Sequence, residues 1–117
     1  MKRELRSPDG TVVASEVEMA DSVWSRFCGL MMRKEFPKGH ALVLSPCSSI
    51  HMFFMRFPID VAFVNRDGKI LHALNSIRPW RASRMVFHAV AAIELPAGTM
   101  KELGIGRGDT ITLHEDS

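Results

Sequence analysis

The sequence predicts a mainly β fold, a small sandwich or barrel-like domain with one substantial helix packed on it, and three observations carry that expectation. Short runs of apolar residues recur along the chain, and Gly- or Pro-bearing turn signals separate them. Only one stretch, about residues 21–33, repeats its apolar side chains at spacings of three and four. With 117 residues the chain suits one hydrophobic core, so a single domain over 1–117 is expected.

Lys2–Arg6 and Thr11–Val17 flank Ser7-Pro8-Asp9-Gly10, in which Pro presets a turn and Gly tolerates positive φ, so a hairpin opens the chain. Asp21 is a natural N-cap for a helix carrying Val23, Trp24, Phe27, Leu30 and Met31, and Pro37 and Gly39 close that region. Ala41–Leu44 reads as a short buried strand, interrupted by the turn formers of 45–49. A second strand starts near Ile50 or His51 and breaks at Pro58, which has no amide hydrogen to donate to a ladder. Ile59–Val64 and Lys69–Ile77 flank Asn65-Arg66-Asp67-Gly68, a hairpin loop. Val86–Leu95 reads as another strand, Thr99–Leu103 as one helical turn, and Thr110–His114 as the last strand.

An apolar fraction of 46% with 24% charged residues is that of an ordinary globular protein. A net charge of +2 and a pI near 8.8 do not argue for nucleic acid, for which a more basic domain with a clustered patch is the usual footprint, and such a partner is not expected. Arg78-Pro79-Trp80-Arg81-Ala82-Ser83-Arg84 is the local exception, and a solvated basic loop is its ordinary meaning. The amino terminus lacks the apolar stretch of a signal peptide, and no segment reaches the roughly 20 apolar residues of a spanning helix. A cytoplasmic protein without membrane association is expected, with Cys28 and Cys47 as free thiols.

The stretch from Pro46 to Phe63 concentrates polar chemistry among apolar residues. Cys47, His51, Arg56 and Asp60 lie between Ile50, Met52, Phe53, Phe54, Met55, Phe57 and Ile59, and buried unpaired polar groups cost roughly 2–7 kcal/mol each. Cys47 and His51 are four apart, a spacing open to an activated thiolate oriented with Asp60, but together they supply only half of a four-coordinate zinc site. Arg56 and Asp60 are expected to form an ion pair that brackets the bend at Pro58. Methionines 31, 32, 52 and 55 are assigned to packing. The glycine-rich run 104–109 lacks the lysine and hydroxyl of a nucleotide loop and is read as a turn.

Arg26-Phe27-Cys28-Gly29-Leu30-Met31-Met32-Arg33, His51 to Phe63, Ile93-Glu94-Leu95-Pro96-Ala97-Gly98 and Gly108-Asp109 occur in that order. Together they resemble the uncharacterised bacterial and archaeal family called domain of unknown function 192, over about residues 13–114. Many members carry Phe-Trp-Met-Lys-Asn-Thr where this chain reads Phe53-Phe54-Met55-Arg56-Phe57, so no role of that asparagine transfers. The resemblance implies a compact, mainly β domain and no settled activity. Its motif positions Arg26, Gly29, Met31, Arg33, Met55, Asp60, Glu94, Gly98 and Asp109 become candidates for a shared site or a shared scaffold.

The expected function is a small binding domain with a pocket for a small polar or anionic ligand. Its candidate ligand-binding residues are Arg33, Cys47, His51, Met55, Arg56, Asp60 and Glu94, with an apolar wall of Met31, Phe53, Met55 and Trp80. No metal or cofactor is implied, and the oligomeric state is left open. A Cys47/His51 enzyme and an interaction module using the 78–84 loop are the alternatives.

Overall fold

The computed structural model describes residues 2–116. The chain opens with β1 (Lys2–Arg6) and β2 (Val12–Ala14), paired antiparallel around the expected turn. There Asp9 Oδ1 accepts the Thr11 N–H at 3.0 Å and Gly10 takes φ 91°. The β2 run does not extend to Val17. Ser15 N–H and Glu16 N–H both donate to Gly39 O, and the chain crosses there into a second sheet as β3 (Glu16–Ala20), parallel to β4 (His40–Leu44).

Two apolar runs, β5 (Ile59–Val64) and β7 (Ala91–Pro96), are buried at every position and pair antiparallel in the middle of this sheet. Strands buried on both faces read as continuous hydrophobic runs rather than alternating ones. β6 (Ile70–Ile77) closes one edge through the Asn65–Gly68 hairpin, giving the order β3-β4-β7-β5-β6. β8 (Thr112–Asp116) returns to β1 to complete a smaller sheet, β2-β1-β8.

The period of two along the central strands sorts the core into two layers. Val43, Ala62, Ile93 and Leu95 face the small sheet, where they meet Leu5, Val13, Ala14 and Ile111. Leu42, Leu44, Val61, Phe63 and Ala92 face the other way, against Leu30, Ile50, Met52, Met55 and Val86 from irregular segments. Full burial of side chains such as Phe63, Leu30 and Met52 contributes about 1.5–3 kcal/mol each. The architecture is thus mainly β, as expected, with two sheets and two short helices.

Besides the split of the Thr11–Val17 run and a last strand at Thr112–Asp116 rather than Thr110–His114, the main differences from expectation lie in the irregular layer. The expected helix over about 21–33 is only α1 (Val23–Cys28). Ser22, not Asp21, caps it: Ser22 Oγ accepts the Ser25 N–H at 3.0 Å, and Ser25 Oγ accepts the Ser22 N–H at 3.1 Å. Gly29 at φ 47° ends it, and Met32 at φ 64° turns the chain away. The helix buries none of its own residues, so the apolar spacing of Val23, Trp24 and Phe27 does not mark a core face. Residues 50–58 are not a strand. Backbone hydrogen bonds tie Ile50 and Met52 to residues 80–83 around one bridge, His51 to Ala82, and Phe54 turns the chain at φ 63°. The strand expected over 86–95 begins only at Ala91, because His88 adopts φ 69° and Ala89 N–H turns back to Val86 O.

α2 (Thr99–Leu103) sits beyond β7, between Gly98 and Gly104 in left-handed conformation. Among the described residues no helix is long and apolar enough to cross a membrane. The approach to the small sheet is fixed where Gly68 O accepts the Ile111 N–H at 2.9 Å, and a Cβ at Gly68 would lie 2.3 Å from Ile111 O at φ 83°. Gly68→Ala is therefore expected to destabilise by about 2–3 kcal/mol, since both backbone strain and a clash with backbone oppose it. Urea denaturation checks this, and an unchanged midpoint would refute the account.

Candidate functional site

Strand β7 sets Glu94 opposite Leu42 on one side and Val61 on the other, on the face of the sheet covered by α1 and residues 44–58. Its side chain is 4% exposed, and its Oε1 finds no hydrogen-bond partner among the described residues. Burial pushes the Glu94 carboxyl up to about 8, opposed only by the charge of Arg33. At neutral pH it is mostly a protonated acid, able to donate one hydrogen bond and accept others.

Above it lies a largely enclosed pocket of about 40 Å³, lined by Arg26–Met31, Leu44, Ser49–His51, Met55 and Glu94. The end of α1 shapes this pocket. Gly29 Cα sits so that an added Cβ would be 3.6 Å from Glu94 Oε1, an ordinary contact, so Gly29 serves the turn's positive φ rather than bare room. Arg26 closes one side, its Nη1 donating to Asp21 O at 2.7 Å and reaching Ser45 O at 3.5 Å.

His51 lines the pocket with its ring fully engaged. Nδ1 is 3.2 Å from the Phe53 N–H, which can only donate, and Nε2 is 2.9 Å from Phe27 O, which can only accept. These partners fix a neutral ring protonated at Nε2. Cys47 lies outside the lining. Its thiol donates to Ser49 O at 3.0 Å, and burial pushes it above the ordinary thiol range. Each of the two residues thus binds backbone rather than the other, and neither an activated thiolate nor a free base results. Among the described residues no three His, Cys, Asp or Glu side chains gather as a ligand set.

Four further expectations are corrected. Asp60 is fully buried on the opposite face of the sheet from Glu94, because the strand period of two separates Asp60, beside Leu95, from Val61, beside Glu94. Its carboxylate accepts the Ser76 N–H at 2.8 Å and the Met100 N–H at 3.0 Å. The Arg56–Asp60 ion pair does not form, and Arg56 is exposed. Arg33, expected in the pocket, is not among its lining residues: its Nη1 and Nη2 grip the two Glu18 oxygens at 2.8 and 2.9 Å. Phe53 and Trp80 are exposed and do not wall the pocket, whereas Met31 and Met55 do. Arg26 and Gly29 line the pocket but were not among the candidate ligand-binding residues, although the Arg26-Phe27-Cys28-Gly29 motif marked them as part of a shared site or scaffold.

These features define a mainly β domain with a small roofed pocket over a neutral, unpaired carboxyl. Residues 5–113 match the DUF192 family, described as "Uncharacterized ACR", and the chain belongs to that family. The UPF0127 protein of Pyrococcus furiosus is 33% identical over 107 residues, covering 87% of this chain and 90% of its own. That of Thermococcus sibiricus is 34% identical over 106 residues, covering 87% of this chain and 68% of its own. A solved protein of Sinorhizobium meliloti, named as a conjectured transcription regulator, superposes with TM-score 0.78 at 27% identity over 95% of this chain and 92% of that one. A protein of unknown function from Novosphingobium aromaticivorans shares the fold at TM-score 0.82 and 21% identity, over 96% and 84%. The UPF0127 names state no activity.

Proposed function

We propose that this is a cytoplasmic binding domain whose pocket takes the neutral polar end of a small ligand, a hydroxyl or carboxamide, and pairs it with Glu94. One observation carries this: Glu94 Oε1 is buried without a partner and borders an enclosed pocket. An unpaired buried polar group costs about 1–3 kcal/mol, which a ligand able to donate and accept would recover. The ligand's end is neutral because Glu94 is itself held neutral by burial, and a protonated carboxyl is matched best by a group that both donates and accepts. Neither nearby guanidinium pairs with it: Arg33 grips Glu18, and Arg26 Nη1 donates to Asp21 O. About 40 Å³ admits an end group only, so the ligand's body must lie outside. The two unbridged thiols suit a reducing compartment.

A thermal-shift screen of small alcohols, polyols, primary amides and carboxylates on wild type and Glu94→Met tests this. Alcohols or amides are expected to raise the wild-type melting temperature by about 10 °C near 100-fold over Kd, as about 2.7 kcal/mol of linkage requires, with no effect on the variant. Equal responses of the two proteins, or a response to carboxylates alone, would overturn it.

A further inference from the structure

Five rings and one imidazole form a continuous exposed strip that no packing need explains. Trp24 and Phe27 lie 6.1 Å apart on α1, and Phe27 meets His51 at 5.2 Å. His51 meets Phe53 at 5.1 Å, Phe53 meets Trp80 at 6.1 Å, and Trp80 meets Phe54 at 4.9 Å. The five aromatic residues expose between 45% and 73% of their surface. Contiguous exposed apolar surface of this kind marks interaction sites.

The strip is built on backbone, not on loose loops. Met52 N–H donates to Arg81 O, Trp80 N–H to Met52 O, and Ser83 N–H to Ile50 O, so residues 50–53 and 80–83 run as a paired ribbon. Trp80 at φ 69° is held outward on that ribbon.

Positive charge accompanies much of it in the sequence. Residues 36–59 and 68–93 contain Lys38, Arg56, Lys69, Arg78, Arg81 and Arg84 and not one Asp or Glu, so they carry +6 in a chain whose net charge is +2. The mild overall pI conceals this separation. Arg56, Arg78, Arg81 and Arg84 are exposed, and none is a partner in the ion pairs of the described residues. Three of them flank Trp80 on its own loop.

We infer that the aromatic strip with Arg56, Arg78, Arg81 and Arg84 is a docking surface for single-stranded nucleic acid, the bases stacking on the rings and the phosphates lying on the guanidiniums. Aromatic rings accept any base on their π-face, while unpaired arginines hold the backbone, and this combination defines sequence-tolerant single-strand binding. An apolar protein partner would leave the unpaired guanidiniums of the Trp80 loop unused, and duplex DNA would hide the bases from the rings. The inference does not depend on the Glu94 pocket.

Both tryptophans of the chain lie on the strip, so intrinsic fluorescence reports on it directly. Titration with a short oligothymidylate is expected to quench that fluorescence. With about three phosphates neutralised, affinity should fall roughly twenty-fold between about 50 and 200 mM salt. Trp80→Ala, followed through Trp24, and the combined Arg78→Ala, Arg81→Ala, Arg84→Ala variant should each weaken binding at least about ten-fold. These changes remove exposed side chains, so the variants are expected to fold, which their circular dichroism checks. Glu94→Met should bind the oligonucleotide as wild type does, which separates this surface from the pocket. Absence of quenching at low salt, displacement by polyphosphate or blunt duplex as efficient as by the single strand, or unchanged affinity in both surface variants would overturn the inference.

Discussion

Glu94→Gln is expected to leave stability nearly unchanged at pH 5 and to raise it by roughly 3–5 kcal/mol at pH 8.5. In the unfolded chain the carboxyl titrates near 4.5, whereas in the fold burial holds it neutral up to about 8. Between those values the unfolded state releases a proton that the native state keeps, so wild-type stability falls as pH rises through this window and levels above it. Each unit of separation is worth about 1.4 kcal/mol, which sets the size. The substituted carboxamide carries no charge in either state, so the variant lacks this slope.

Other groups act elsewhere or cancel. Glu18 and Asp9 titrate below their ordinary values, held by Arg33 and by Ser7 respectively, and their stabilisation is lost only in acid below the window. The raised Cys47 thiol acts above it. His72 is lowered by burial within the window and contributes stability that grows with pH, but equally in both proteins. The difference between two urea-derived stability curves, taken from pH 5 to 8.5, isolates Glu94. Parallel curves would show that the carboxyl is hydrated or paired in solution, and the proposed pocket would lose its basis.

How much of this was legible in the sequence depends on where each residue's partner lies. The Asn65–Gly68 hairpin was readable because its chemistry is local: Asn65 Oδ1 accepts the N–H groups of Asp67 and Lys69. β5 and β7 were readable as apolar runs, although the β7 run began five residues later than its hydrophobicity suggested. The layer over Glu94 was not readable. Its backbone is held by residues about thirty positions away, as where Met52 pairs with Trp80 and Arg81, and no periodicity encodes that. Helical spacing of Val23, Trp24 and Phe27 was real but meant an exposed apolar strip, since hydrophobic period reports one-sidedness and not which side is covered. The absence of acids across 36–59 and 68–93 was in plain sight, but whole-chain charge averaged it away.

Asp60 shows the same limit from the other direction, and Asp60→Ala is expected to cost about 3–4 kcal/mol for a structural reason. Ile59 pairs with Ile77 and Val61 with Leu74, so Asn75 and Ser76 of β6 stand opposite the single residue Asp60, and Ser76 bulges at φ 53°. A bulge leaves an amide without a ladder partner. Asp60 Oδ1 takes that Ser76 N–H, while Oδ2 takes the Met100 N–H in the first turn of α2. One carboxylate thereby joins the β6 edge to the helix beyond β7, between the two sheets. Alanine strands both donors, at about 1–3 kcal/mol each when buried, and Asp60→Asn should cost less because one oxygen remains while its amide opposes the second N–H. The urea midpoint is expected to drop with the slope unchanged. Because the sheet separates Asp60 from Glu94, any ligand response found for wild type should persist in Asp60→Asn wherever that variant is folded. A fully stable Asp60→Ala would refute the structural role, and loss of ligand response in folded Asp60→Asn would return Asp60 to the site.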